Sequence, residues 1–432
     1  MKGFTKVPQG SPVVVSPQPS WIHRRRTSCR VCGNQTLERF LDLGLSPLAN
    51  SFLLSADEFE HEEKYPLEVY FCPDCTLVQL LDVIHPEILF RHYLYVSGTS
   101  ETMLEHHRQY AETVTGILRL GPNDLVTEIA SNDGTLLAQF QKLGTRVLGV
   151  EPAENIAQMA RAAGVPTIDR FFGLEAAKEI RAQFGPSSAV IGNNVLAHVD
   201  DPCDFLAGCQ HLLSPGGLVT FEVPYLGWFL DRLEYDTIYH EHLCYFSVQA
   251  LCRMCEAVGL SIVRIDKVSV HGGSLRVYAG HKADYPVHGE IALAMAAQER
   301  EAGLGEIAAY RRFAESVAAN RAALVKLLKS LRENGKTIAA YGAPAKGNTL
   351  LNYCGIGPEL VDFTVDRNPL KVGLYTPGMH LPVLPVSTLL ERQPDYVLVL
   401  AWNFADEIMR QQQEYERRGG HFIVPVPEPR IV

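Results

Sequence analysis

No stretch of this 432-residue sequence is apolar for long enough to span a bilayer. The N-terminal residues carry no apolar signal-peptide core either, since Val13–Val15 is short and Arg24–Arg26 follows it rather than preceding it. A cytoplasmic protein without a membrane partner is therefore expected. Basic excess is also missing: 39 Lys and Arg stand against 49 Asp and Glu, a formal charge of -10. That balance disfavours nucleic acid as a partner, because phosphate contacts need a basic surface. The Gly-x-Gly-x-x-Gly fingerprint of dinucleotide-binding folds is absent, and the ten cysteines form no compact disulfide framework.

What is present is the composition of a folded chain, with 47% hydrophobic and 20% charged residues. The length calls for two or three domains. Residues 1–20 are rich in Pro, Ser and Gly and read as a disordered leader. Residues 21–97 bracket short strand-like pieces between cysteines, a module too small to hold together without a staple. From Leu125 onward strands alternate with helices: strands at 125–130, 146–150, 189–192 and 218–223, and helices at 135–142, 156–163 and 205–213. This alternation predicts a doubly wound parallel α/β sheet across residues 98–285. Residues 286–334 form a helical connection, with Leu324, Leu327, Leu328 and Leu331 on one face before Gly335. A second, smaller Rossmann-like α/β unit follows over 335–432, with strands at 337–341, 360–365 and 396–400.

Four of the ten cysteines occur as two Cys-x-x-Cys pairs, Cys29/Cys32 and Cys72/Cys75. Four thiolates offered in this way suit a closed tetrahedral zinc site, whose role is structural because no position is left open. The remaining cysteines read as small core residues.

Glu128-Ile-Ala-Ser131-Asn132-Asp133-Gly134 falls between a strand and a helix, where backbone N–H groups and a glycine allow close approach of a ligand. Glu151 ends the following strand, placed to accept both hydroxyls of a ribose. An acid there, without a second phosphate-binding glycine, points to S-adenosylmethionine rather than a dinucleotide. The third strand leads into Asn194, Val195 and His198, at the carboxyl edge that lines the crevice of such sheets.

Tyr239, His240, Glu241 and His242 follow the strand that borders this crevice. On an extended stretch Tyr239 and Glu241 share a face while His242 points across it, and on a helix Tyr239, Glu241 and His242 fan around a corner. His240 is expected on a hydrogen-bonded surface. Methylation of an activated carbon needs a base to remove a proton beside a carbonyl, donors for the enolate oxygen, and a carboxylate to orient the substrate. His, Tyr and Glu side chains meet those needs.

With these pieces in place the chain resembles the nucleotide-sugar C-methyltransferases that make branched deoxysugars. The matching segments are the two cysteine pairs, Tyr93-Leu-Tyr95-Val-Ser-Gly-Thr-Ser100, Glu128–Gly134, Asn194-Val-Leu-Ala-His198, Tyr239-His-Glu-His242, His271-Gly-Gly-Ser-Leu-Arg276 and Tyr341-Gly-Ala-Pro-Ala-Lys346-Gly-Asn348-Thr349. They span almost the whole chain. The resemblance implies methyl transfer from S-adenosylmethionine to C3 or C5 beside the keto group of a nucleotide-linked 4-keto-deoxyhexose. It makes His242 the base, with Tyr239, Glu241, His198 and one of Tyr93 or Tyr95 orienting the sugar or stabilising the enolate. Lys346 to Thr349, Asn348 included, are candidates to meet the substrate diphosphate through lysine charge and backbone N–H groups, the alternative being a tight strand-to-helix turn, and Arg276 is a similar candidate with the alternative of a local acid. Ala130-Ser131 departs from the glycine-rich first loop of many methyltransferases. Other classes that fit are a non-catalytic zinc protein that senses S-adenosylmethionine and a methyltransferase for another small molecule. The oligomeric state is left open, a monomer included.

Overall fold

A computed structural model describes residues 20–91, 101–268 and 273–432. All but the last residue of the expected leader, and both Tyr93 and Tyr95, lie outside the described residues. Among the described residues, no helix is long and apolar enough to cross a membrane.

The N-terminal module consists of β1 (His23–Arg25), β2 (Glu38–Ser46), β3 (Tyr65–Phe71), β4 (Val78–Leu80) and β5 (Asp82–Ile84), all paired antiparallel. Alternation in β3 sends Leu67, Val69 and Phe71 into the core. The cysteine knuckles each close with a residue of positive φ, Gly33 at 74° and Thr76 at 62°, so that Gly33 N–H donates to the Cys29 carbonyl and Thr76 N–H to that of Cys72.

The central sheet is built from β6 (Leu125–Ile129), β7 (Arg146–Val150), β8 (Thr167–Ile168), β9 (Ser187–Ile191) and β10 (Leu213–Pro224), paired parallel in the order β10-β9-β6-β7-β8. Strand β11 (Cys244–Tyr245) leaves this sheet and pairs instead with β4 of the N-terminal module. The parallel sheet expected from the sequence is extended by an antiparallel edge, β12 (Leu260–Val268) and β13 (Ser274–His281), against β10. A hairpin needs no crossover helix, so the strand-helix alternation on which the expectation rested carries no sign of it.

A 27-residue helix, Ile307–Glu333, connects to the last unit. Its buried stripe of Tyr310, Phe313, Val317, Asn320, Leu324 and Leu328 repeats every three or four residues. Tyr310 packs on Phe40 and Phe71 of the N-terminal module, and Asn320 Nδ2 donates to the Pro425 carbonyl at 2.9 Å near the C-terminus. The C-terminal sheet has the order β16-β15-β14-β17-β18-β19, from β14 (Ile338–Tyr341), β15 (Thr364–Asp366), β16 (Val383–Pro385), β17 (Tyr396–Val399), β18 (His421–Val424) and β19 (Arg430–Ile431). β15 begins four residues later than the sequence suggests, because Leu360 and Val361 are buried in the turn before it rather than in the ladder.

Both sheets reverse their strand order, between β6 and β9 in the centre and between β14 and β17 at the C-terminus. Ligand crevices form at the carboxyl ends of strands at such reversals. The two crevices open onto one space.

Candidate active site

That space is a cavity of about 680 Å³ lined from both reversals: Glu128–Asn132, Glu151 and Asn193–Val195 from the central sheet, and Pro344–Lys346 with Ala401–Phe404 from the C-terminal one. His198, Tyr239 and His242 line it between them.

On the central side, Ala130 (φ 56°), Asn132 (φ 48°) and Gly134 (φ 77°) put the loop after β6 into left-handed turns. Glu151 at the end of β7 holds this loop: its carboxylate accepts from Asn132 N–H and Ala153 N–H, both at 2.9 Å. Burial raises its pKa and those two amides oppose the rise. Glu128 is deeper. Burial first, then the charges of Asp133, Glu151 and Glu222, hold its carboxyl well above the usual carboxylate range. Glu128 Oε2 and Ser131 Oγ are buried with no hydrogen-bond partner, a cost of roughly 1–3 kcal/mol each that a ligand donor would relieve. Acids and orphaned acceptors suit a cationic ligand with ribose hydroxyls and an ammonium group, as S-adenosylmethionine has. Asp133 accepts from the amide and hydroxyl of Thr135 at the start of the following helix, and neither Asp133 nor Gly134 lines the cavity.

On the catalytic side, Tyr239 and His242 are joined by a turn in which His242 N–H donates to the Tyr239 carbonyl at 2.8 Å. The turn brings residues three apart onto one side, and the Tyr239 hydroxyl lies 2.9 Å from His242 Nε2. His242 Nδ1 lies 2.8 Å from the Thr237 carbonyl, which can only accept. The proton of the neutral ring therefore sits on Nδ1, and the lone pair of Nε2 faces the Tyr239 hydroxyl. The His198 ring stands edge-on to His242 with centroids 4.8 Å apart. Burial pushes the His198 pKa down to about 4, against a bond with the Glu241 backbone, so its ring is neutral and its Nδ1 is an orphan.

This loop is fixed from outside the sheet that precedes it. Leu243 donates to the Ala197 carbonyl at 2.7 Å and accepts from Leu80 N–H at 3.0 Å, and the next two residues form β11 on β4. The N-terminal module thus clamps the residue after His242. Within that module the sulfurs of Cys29, Cys32, Cys72 and Cys75 all lie within 4.8 Å of one another. A four-sulfur donor set at this spacing fits tetrahedral zinc. Gln79 Nε2 donates to Cys29 Sγ at 3.2 Å, tying the cluster to β4.

Over residues 29–90, 104–265 and 269–427 the chain matches the family models for a zinc binding domain, a methyltransferase domain and a C-methyltransferase C-terminal domain. It is 40% identical over 412 residues to the C-methyltransferase NovU of Streptomyces niveus, covering 95% of this chain and 98% of that one. The chain belongs to the C-methyltransferase family. It is an S-adenosylmethionine-dependent C-methyltransferase with a zinc-binding N-terminal domain. A shorter likeness, 32% over 97 residues, links it to the ubiquinone biosynthesis O-methyltransferase of Roseobacter denitrificans, covering 22% of this chain and 38% of the relative. Among solved structures, the magnesium protoporphyrin IX methyltransferase of Synechocystis with bound cofactor has a TM-score of 0.31 at 15% identity, covering 41% of this chain and 81% of that one.

Within this C-methyltransferase several residues singled out from the sequence sit elsewhere. Glu241 turns away from the cavity and accepts from Asn50 Nδ2 at 2.6 Å, because the turn at Tyr239–His242 sends the intervening side chains outward. His240, expected at the surface, is buried with Nε2 3.2 Å from the Pro66 carbonyl. Arg276 is taken by the local acid: its Nε donates to Glu222 Oε1 at 2.7 Å and its guanidinium lies over Tyr110. Asn348 is buried against the N-terminal module, donating to the Ala49 carbonyl at 2.7 Å. Lys346 does line the cavity, with Nζ 4.2 Å from the Trp402 ring centroid. Among the lining residues not foreseen are Glu222, Glu234 and Trp402. Glu222 alone left a signal, an acid inside the apolar run of β10.

Proposed function

We propose that this enzyme methylates a ring carbon, C3 or C5, next to the keto group of a nucleotide-linked 4-keto-deoxysugar, and that His242 is the base. The observation that carries the reading is the placing of His242, with Nδ1 2.8 Å from the Thr237 carbonyl and Nε2 2.9 Å from the Tyr239 hydroxyl. When the sugar enters, the Tyr239 hydroxyl turns to the keto oxygen and Nε2 takes the proton from the adjacent carbon. The electrons of that C–H bond pass into the enolate, whose oxygen Tyr239 stabilises. The cofactor, when bound, supplies an electrophilic methyl group. Neutral His198 accepts a sugar hydroxyl at its orphaned Nδ1. Lys346, at the start of the helix Ala345–Cys354, faces the diphosphate with charge and helix dipole together.

Purified enzyme with methyl-labelled S-adenosylmethionine and a panel of nucleotide-linked 4-keto-deoxysugars tests this. Label on a ring carbon, lost in His242→Ala while cofactor affinity persists, is the expected result. Methyl transfer that survives in His242→Ala would remove the base from the mechanism.

A further inference from the structure

Between the helix Leu226–Asp231 and the Tyr239–His242 turn the chain buries an acid that the mechanism above does not use. Asp236 is fully buried, and its Oδ2 accepts from Trp402 Nε1 at 2.6 Å. Trp402 follows β17 and lines the C-terminal side of the cavity. Burial raises the pKa of Asp236, and the Lys346 charge and the indole N–H oppose the rise. An acid withdrawn from water is tolerated only with its partners in place, so this carboxyl fixes the Trp402 ring relative to its own backbone.

The residues beside Asp236 show what that fixing reaches. The Tyr235 hydroxyl donates to Asn320 Oδ1 at 2.8 Å on the connecting helix. The Thr237 carbonyl lies 2.8 Å from His242 Nδ1. The Ile238 carbonyl accepts from Thr349 Oγ1 at 3.1 Å, on the helix Ala345–Cys354. The carbonyl that orients His242 is thus bracketed by two bonds to the C-terminal unit, one on each side, and the shorter is that of Asp236 with Trp402. Each is made by a residue next to Thr237, so a shift at either is passed to its carbonyl through a single planar peptide.

We propose that Asp236 and Trp402 are a positioning pair for methyl transfer: their bond sets the Thr237 carbonyl, and through it the His242 ring, against the C-terminal wall of the cavity. Both act through the backbone rather than on the reacting atoms. The proposal rests on His242 as the base, as proposed above. It adds that the base is registered to the C-terminal unit as well as to the zinc-binding module.

The test takes full-length Asp236→Ala, Asp236→Asn, Trp402→Phe and His242→Ala enzymes beside the parent, and reads hydrogen exchange and steady-state turnover with the labelled cofactor and the sugar panel. Asp236→Ala and Trp402→Phe should each speed exchange of the Thr237, Ile238 and His242 amides about tenfold or more, while Cys244 and Tyr245, paired with β4, keep the parental rate. In the same two variants kcat should fall roughly 10²-fold with the cofactor KM unchanged, a split that a general loss of stability does not produce. Asp236→Asn keeps an oxygen for the indole N–H and should recover most of the protection and most of kcat. Cofactor affinity at the parental value shows that each variant folds. Parental exchange rates in Asp236→Ala and Trp402→Phe overturn the pair, as does faster exchange with kcat unchanged, or an Asp236→Asn enzyme as impaired as Asp236→Ala. Turnover that survives in His242→Ala overturns the base, and the pair's role in aiming it, whatever the exchange shows. Turnover lost in His242→Ala but kept in the pair variants overturns the pair alone.

Discussion

Replacing Glu241 by Gln should flatten the pH dependence of this enzyme's stability. Glu241 is 4% exposed, and burial pushes its pKa up to about 7, with Asn50 and Lys371 opposing the rise. The folded chain therefore holds this proton more tightly than the unfolded chain, whose value is near 4.5. Its stabilising contribution is fully present below the unfolded value and is lost as the pH rises through about 7. A difference of that size corresponds to about 3 kcal/mol in all, most of which is lost between pH 5 and pH 8. Glutamine keeps an oxygen for Asn50 Nδ2 and does not titrate. Urea unfolding of parent and variant at both pH values gives the answer, since groups common to the two proteins cancel in the difference. The variant should gain about 2–3 kcal/mol on the parent as the pH rises over this range. Parallel stability curves would refute the reasoning and mean that the Glu241 carboxylate is solvated or ion-paired.

Tyr239→Phe removes the donor proposed for the enolate oxygen and should lower turnover by roughly 10²-fold, with cofactor affinity unchanged by calorimetry. Glu151→Ala frees Asn132 N–H and Ala153 N–H and removes the acceptor expected for the ribose; S-adenosylhomocysteine affinity should fall by about tenfold or more in the same assay. Cys72→Ser should abolish stoichiometric zinc and, in hydrogen exchange, expose the amides of Leu243–Tyr245, which β4 and the Ala197 carbonyl protect. Zinc loss without faster exchange at those amides would uncouple the metal from the catalytic loop.

The sheet strands and their crevice were legible because hydrophobic runs of fixed length alternated with amphipathic helices, and the zinc cluster because two-residue spacing is a covalent property of the chain. Glu128, Glu151 and Asn194 follow from the same logic, since an acid or amide at a strand's carboxyl end has its position set by the strand. The catalytic segment was legible only in part. Whether Tyr239 pairs with Glu241 or with His242 depends on a turn, and the turn is held by Leu80, Ala197 and Thr237, residues remote or without any pattern in sequence. Arg276 shows the converse. Its sequence neighbours say nothing of Glu222, which the antiparallel register of β10 and β13 sets directly opposite.

The architecture explains why a metal that touches no substrate belongs in this enzyme. Two Rossmann-like units each offer a crevice, and the loop between them has, on the mechanism proposed above, to hold His242 within a fraction of an ångström of a reacting carbon. Strand β11 anchors the end of that loop, and it has only two residues, too few to persist as an isolated pairing. It persists because its partner β4 belongs to a module closed by four sulfurs and packed on the Ile307–Glu333 helix through Phe71 and Tyr310. Zinc stabilises the module, the module supplies an edge for β11, and β11 holds the histidine. A variant that loosens β4 without touching the sulfurs, such as Val78→Pro, removes a ladder donor and should therefore lower turnover while zinc content stays at one per chain. Turnover at the parental rate in a zinc-loaded Val78→Pro protein would show that the loop holds its geometry unaided.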